Sequence, residues 1–423
     1  MARIFLYRTH RTAPSRLSIA PLSGHGTLDK ERDMLLNRFS SLFALWLLGL
    51  ADAGSQAATF DLGDDASFSI GAGLRLSYRS AEDAPPGGGR TDDLVVDNVR
   101  LYMSGRASRT LGATLNFDRD GVDDLPDGLR VLDAYVQYEP LPEFNIWLGR
   151  IAPALDRPDL DGVFYLNVWD FPVVSRYPSR ALGRDYGLAA WGKLADGKLT
   201  YVLGAFKGHN DYAGASNDSG NPLYNWRVAY AFRDAEPALA YYTGSTYYGA
   251  ADILTLGFAG MIQRDGVGLA GNPGDYLGMN LDLLLERKLA GGGVLTLEGA
   301  YYDYDLGGKT DCGSGEPGAP ACPAGAGVND NVGGLVEGKG YLATAAFLFP
   351  RKLGVGQVQP FVRYQRFERS VSDSSVDVFD AGLNYVIRGH DTRVSAFWSR
   401  TEDDRPAPDA EVDRFVVGVQ FQI

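Results

Sequence analysis

Residues 67–79 read SFSIGAGLRLSYR, and every second residue is apolar. Phe68, Ile70, Ala72, Leu74, Leu76 and Tyr78 make one face; Ser67, Ser69, Gly71, Gly73, Arg75, Ser77 and Arg79 make the other. A period of two sustained over this length specifies a two-faced β-strand. The pattern recurs to the C-terminus, where Phe415, Val417, Val419, Phe421 and Ile423 alternate with Arg414, Val416, Gly418, Gln420 and Gln422. Between these lie segments at 98–106, 111–118, 132–138, 144–148, 184–193, 199–206, 224–232, 252–263, 276–288, 294–304, 339–349, 357–367, 377–386 and 392–400, for 16 strands in all.

The connections alternate in length. Ala107–Thr110, Glu139–Glu143, Ala195–Lys198, Ala290–Gly293, Pro350–Gly356 and Ile387–Asp391 are short; 80–93, 119–128, 151–183, 207–222, 264–275, 306–338, 368–376 and 401–410 are long. Short periplasmic turns opposite long outer loops, with an even strand number, mark an outer-membrane barrel. A soluble propeller would repeat a blade motif, and none recurs. One connection breaks the rule: 233–251 ought to be short but is long and Tyr-rich. The fold expected is all-β: a transmembrane antiparallel barrel of about 16 strands, with the long third loop folded inward. Lipid offers no hydrogen-bond partner, so the sheet must close on itself. Even positions 68–76 then face lipid and odd positions 69–77 the lumen. Tyr78, Phe117, Tyr138, Trp226, Phe232, Phe349 and Phe421 fall at interfacial depth, where aromatic girdles sit.

Composition removes other classes. Fifty-three glycines and 12% aromatic residues do not suit a helical bundle. No stretch of about 20 apolar residues is present to make a spanning helix. The net charge of −13 lacks the basic footprint of a nucleic-acid binder. Residues 42–51, LFALWLLGLA, have the length of a signal-peptide core, with Arg38 before them and small-residue cleavage patterns after. Three segments are therefore expected: 1–33, a mis-annotated N-terminal extension with translation starting at Met34; 34–57, the signal peptide; and 58–423, the barrel.

The segments VRLYMSGRASRTLGATLNFD, LDAYVQYEPLPEFNIWLGR and GRDYGLAAWGKLADGKLTYVLGAFKG resemble the phosphate-selective porin O and P family, as do QPFVRYQRF and AGLNYVIRGHDTRVSAFWSR. The resemblance covers essentially all of 58–423. It implies a homotrimer of 16-stranded barrels in the outer membrane of a Gram-negative bacterium, in contact with lipid and lipopolysaccharide, passing anions or small hydrophilic solutes, phosphate or polyphosphate among them. The sequence departs from the family at its end, Ile423 instead of an aromatic, and in loop 151–183, which lacks the lysine that phosphate-selective members place beside their constriction arginines.

By the strand register, Arg75, Arg79, Arg100, Arg106, Arg227, Arg363, Arg393 and Arg414 point into the lumen, against Asp118, Asp133, Asp282, Glu286, Glu298 and Asp380. Arginine rings favour anions in pores, unless the charges pair across the wall. The third loop carries Arg157, Arg176, Arg180 and Arg184 with Asp156, Asp159, Asp161 and Asp170, an arrangement suited to a transverse field across a constriction. Cys312 and Cys322, exported to an oxidising space, are expected to form a disulfide. Asp118–Asp124 approaches a calcium-loop pattern but has Leu129 where that pattern needs Glu, so no metal site is expected. Neither His209 nor His390 has an evident nucleophile partner, and no catalytic residue or cofactor is expected. The expected function is passive diffusion of small solutes through a water-filled channel with weak anion preference. The alternatives are a plugged structural or adhesive barrel and an outer-membrane hydrolase.

Overall fold

The computed structural model describes residues 57–63, 65–82, 88–120, 129–177, 183–208, 220–269, 272–312, 314–319, 334–405 and 411–423. The expected extension and, apart from Ala57, the expected signal peptide lie outside the described residues, as do Arg180, His209 and Cys322.

Sixteen antiparallel strands form the wall: β1 Ala66–Ala81, β2 Thr91–Arg106, β3 Leu111–Asp120, β4 Arg130–Leu141, β5 Phe144–Ile151, β6 Asp185–Leu194, β7 Leu199–Phe206, β8 Leu223–Ala231, β9 Ile253–Leu269, β10 Asn272–Lys288, β11 Val294–Asp305, β12 Gly338–Leu348, β13 Gly356–Arg369, β14 Ser374–Arg388, β15 Thr392–Asp403 and β16 Glu411–Gln422. Each pairs with the next, and β16 returns to β1 with Gln422 opposite Gly73 and Arg414 opposite Ala81, so no wall edge stays unpaired. Two short strands not anticipated from alternation, Ala58–Gly63 and Lys352–Leu353, add to β1 and β13. The terminal residue closes the seam: Ile423 and Ala72 exchange two backbone hydrogen bonds, of 2.8 and 3.0 Å. Gly71 makes this approach possible, since a Cβ there would stand 2.4 Å from the Ile423 carbonyl oxygen.

The expected register is the observed one. Gly71, Gly73, Arg75 and Ser77 are buried inside, while Ala72, Leu74, Leu76 and Tyr78 face outward. Tyr78, Tyr138, Phe232 and Phe349 are exposed on the outside. One long outer loop, expected at 264–275, is instead a continuation of the β9–β10 hairpin: after a bulge past Gln263, Val267 pairs with Gly274 and Leu269 with Asn272. Alternation failed there because the irregularity sets three residues, 264–266, opposite Asp275 alone and interrupts the two-residue period.

Leu383, outward on β14, tests the register. Leu383→Arg should cost about 2–4 kcal/mol in urea unfolding from liposomes, near the bilayer middle. Leu383→Phe should leave the transition close to the parent's, and equal transitions for both substitutions would place Leu383 away from lipid.

The lumen is not empty. Residues 152–177 enter from the long-loop end, and 232–252, the connection that breaks the short-turn rule, enter from the other.

Candidate functional site

The third loop starts with a short helix, α1, Arg157–Tyr165. Asp156 caps it by accepting from the Asp159 amide at 3.1 Å, Pro158 sits in its first turn, and Gly162 breaks the helical geometry at φ 60°. Beyond α1 the loop lies along the wall. Inward glycines make its seat: a Cβ at Gly73 would be 2.7 Å from the Phe164 ring, and one at Gly418 2.7 Å from the Trp169 ring. The Arg75 guanidinium lies 4.0 Å from the Trp169 ring centroid and donates to the Trp169 carbonyl at 2.6 Å. Arg393 donates to the Leu166 carbonyl at 2.6 Å, and Arg363 to the Asp170 carbonyl at 2.7 Å. Further on, Tyr177 donates to Asn280 at 2.7 Å and Tyr304 to the Val174 carbonyl at 3.0 Å.

The segment 232–252 forms a floor bound to this loop. Arg157, with no exposed surface, donates to both Glu236 oxygens at 2.8 and 2.7 Å and to the Gly244 carbonyl at 3.2 Å. Burial pushes the Glu236 carboxyl up, but the Arg157 guanidinium outweighs it and holds the group down at about 2. Ser245 donates its amide to the Tyr165 carbonyl and its hydroxyl to Asp161. Tyr241 and Tyr242 pack on Trp147, ring centroids 4.9 and 5.9 Å away. At the far side His390, in the turn after β14, lies between the Tyr165 and Tyr248 rings with Nε2 2.8 Å from the Thr246 carbonyl, so Nε2 is the donor. Burial, with Arg393 nearby, lowers its pKa to about 3.

Open space remains along the opposite wall, β2 to β6. A cavity of about 440 Å³ lies between that wall and the two inserts, with Arg100, Asp133, Asp161 and Arg184 at its margin. A larger one of about 880 Å³ follows toward the short-turn end, lined in part by Arg106, Arg109, Glu139 and Lys193. Tyr135, Ala238, Leu239 and Tyr242 line both, so the two adjoin.

No family model matches the chain, and no curated protein matches it. Solved structures do. OmpT, expressed in the outer membrane of Vibrio cholerae, has a TM-score of 0.53 at 12% identity over 86% of this chain and all of that one. OmpF of Salmonella typhi, in complex with daunomycin, has a TM-score of 0.53 at 10% identity over 86% of this chain and all of that one. A trimer form of the Vibrio cholerae OmpT has a TM-score of 0.50 at 11% identity over 85% of this chain and all of that one. This is the fold of outer-membrane porins. With its apolar outer face, it places the chain in an outer membrane.

Within this porin-like barrel the eight expected arginines all point inward, but they do not stand free. Six meet carboxylates: Arg79 with Asp97, Arg100 with Asp118, Arg106 with Glu139, Arg227 with Asp282, Arg363 with Asp380 and Arg414 with Asp170. Arg75 and Arg393 hold loop carbonyls. Of the eight, Arg100 and Arg106 line the two cavities, while most of the others brace the loop. The reason is energetic, since a charge taken out of water must be compensated or it is very costly.

The third loop's charges are also largely absorbed. Arg157 and Asp156 are wholly buried, with Asp156 accepting from Tyr302 at 2.7 Å. Asp159 lies against Gly183. Asp170 binds Arg414 and stands 3.5 Å from Arg79. Arg176 donates to the Val173 carbonyl at 2.9 Å and covers the Phe367 ring. Arg184 and Asp161 remain at the cavity margin, with Arg184 2.9 Å from Asp133. Among the described residues, Arg184 and Asp161 are thus the loop charges that reach the cavity; Arg180 lies outside them. Sequence reasoning missed Arg109, Lys193 and 237–244; their one signal was the Tyr-rich connection that refused to be short. Cys312 is fully buried and disulfide-bonded.

Proposed function

We propose that the chain forms a narrow, off-centre channel for small hydrophilic solutes with a weak anion preference. The adjoining cavities along β2–β6 carry this reading. Polar side chains set into their lining, Asn116 and Asp133 in one and Thr114 and Gln137 in the other, suit water, and the short-turn end leans basic, with Arg106, Arg109 and Lys193 against Glu139. Arg106 is paired with Glu139, and Arg109 with Asp65 in an exposed pair that contributes little. Lys193 donates to the Ala238 carbonyl at 2.9 Å, which leaves its charge uncompensated at that contact. A charge beside a narrow path with low-dielectric walls is screened less than the acidic outer loops, where the Debye length is about 8 Å.

Reversal potentials in planar bilayers with asymmetric KCl test this. The parent should favour anions modestly, and Lys193→Glu should move the potential toward cation preference. Strong cation selectivity in the parent, or no movement in the variant, would contradict it. Phosphate at the constriction has less support, because the arginines that would strip its water are already paired. The sequence resemblance to the phosphate-selective porin O and P family, and the trimer form of one solved neighbour, support a homotrimer exported on a signal at 34–57, with Cys312 bridged to Cys322.

The depth of the two inserts favours a second reading, a plugged barrel with a structural or adhesive role. Absence of any ion conductance in correctly folded protein would select it.

A further inference from the structure

We propose that the cavity between the wall and the two inserts binds an uncharged solute presenting a flat ring edged with hydroxyl groups. The inference rests on the channel reading and names what its narrowest stretch retains. The cavity, about 440 Å³, falls within the usual range of small-molecule sites. Two tyrosines, Tyr102 and Tyr135, face it from the wall, and Tyr165, Tyr242 and Leu239 from the inserts.

Leu239 is the most telling of these. It is 86% exposed although it lines the lumen, and Tyr165 is 44% exposed. Apolar surface held toward water gains nothing from folding, but it gains when a ligand covers it. Aromatic faces accept another ring or the apolar face of a pyranose. The charges argue against an ion. Arg100 is matched by Asp118 and Arg184 by Asp133, so the margin presents compensated pairs. Two polar atoms of the lining are left over, His390 Nδ1 and Asp161 Oδ1; Asp161 is 4% exposed, and its Oδ2 accepts from Ser245. Burial, with Glu298 close by, pushes the Asp161 carboxyl up. A carboxyl held toward its neutral form there offers a hydroxyl-bearing ligand a hydrogen bond with less demand for a counter-charge.

Phenols and pyranoses share this chemistry, and single-channel recording separates them. Catechol, glucose and inorganic phosphate are added in turn to the folded full barrel, and the half-blocking concentration is normalised to each variant's own open current. Catechol or glucose should interrupt the current at concentrations where phosphate does not. Leu239→Ser should raise the half-blocking concentration roughly tenfold, the scale of losing one buried apolar side chain. Because Leu239 is exposed, the variant should fold. A conducting channel that neither ring blocks, a block identical in parent and Leu239→Ser, or a stronger block by phosphate would overturn the inference and leave the channel reading standing. A folded barrel that passes no ions would overturn both.

Discussion

Replacing Arg157 with Ala should release the floor and give larger, noisier single-channel currents. The buried guanidinium joins three parts of the molecule: α1, the Glu236 carboxylate and Gly244 carbonyl of the floor, and the wall at Asp282, 3.7 Å away. Removing it leaves the Glu236 carboxylate without its cation, while Asp282 keeps Arg227, and the penalty is about 3–5 kcal/mol for a broken buried pair. The wall has its own hydrogen-bonded ladder and does not depend on this contact. The rest of the floor keeps other anchors, among them Ser245 on Asp161 and Thr246 on Glu286, so the cost should be relieved by the stretch around Glu236 swinging out instead of by unfolding of the barrel. Heat-modifiable electrophoretic mobility would confirm a folded wall. A folded Arg157→Ala variant with the parent's current and noise would show that the floor is held by something else.

The two inserts should respond to pH with opposite signs. His390 and Glu236 both have folded pKa values below their ordinary ones, at about 3 and about 2. Their contributions are complete above the unfolded values, about 6.5 and 4.3, and fade as pH falls toward the folded ones. Acid should therefore loosen the floor, beginning near pH 6.5 at its His390 end. Asp159 on α1 is the reverse case: burial, with Asp156 beside it, raises its pKa to about 8. Its contribution is complete below about pH 3.9 and is lost as pH rises through 8. Open-channel noise measured across pH should show both arms. His390→Leu should remove the acid arm between 6.5 and 3, and Asp159→Asn the alkaline one. Noise that keeps its full pH dependence in both variants would contradict the assignment.

The wall was legible because its physics is local and periodic. A lipid-facing strand must alternate, so Phe68 to Tyr78 and Phe415 to Ile423 declare their faces without reference to anything distant. Some pairings were legible in principle: Arg100 lies opposite Asp118 and Arg363 opposite Asp380 across single hairpins, so register alone sets them together. Other pairings were not. Arg157 meets Glu236, 79 residues on, only once the barrel has closed and both inserts have entered it. The wall's glycines carried a hidden message: Gly73 and Gly418 look like ordinary inward positions of their strands, yet each clears room for a loop aromatic. The floor left only a negative trace, a connection too long and too Tyr-rich for its place. Alternation cannot describe a segment that lacks a regular period and whose neighbours come from five strands away.

In the proposed channel, water crosses beside β2–β6 and not beneath the loop against β11–β16. Thr114 on β3 lines the larger cavity, whereas Ser395 on β15 is wholly buried and donates to Asn384 at 2.7 Å. Cys312 is already disulfide-bonded, so it offers no competing thiol. Thr114→Cys and Ser395→Cys channels are treated with a membrane-impermeant cationic methanethiosulfonate while single-channel current is recorded. The current should fall stepwise for Thr114→Cys and stay unchanged for Ser395→Cys. A fall confined to Ser395→Cys, or a parent barrel that conducts no ions, would contradict it.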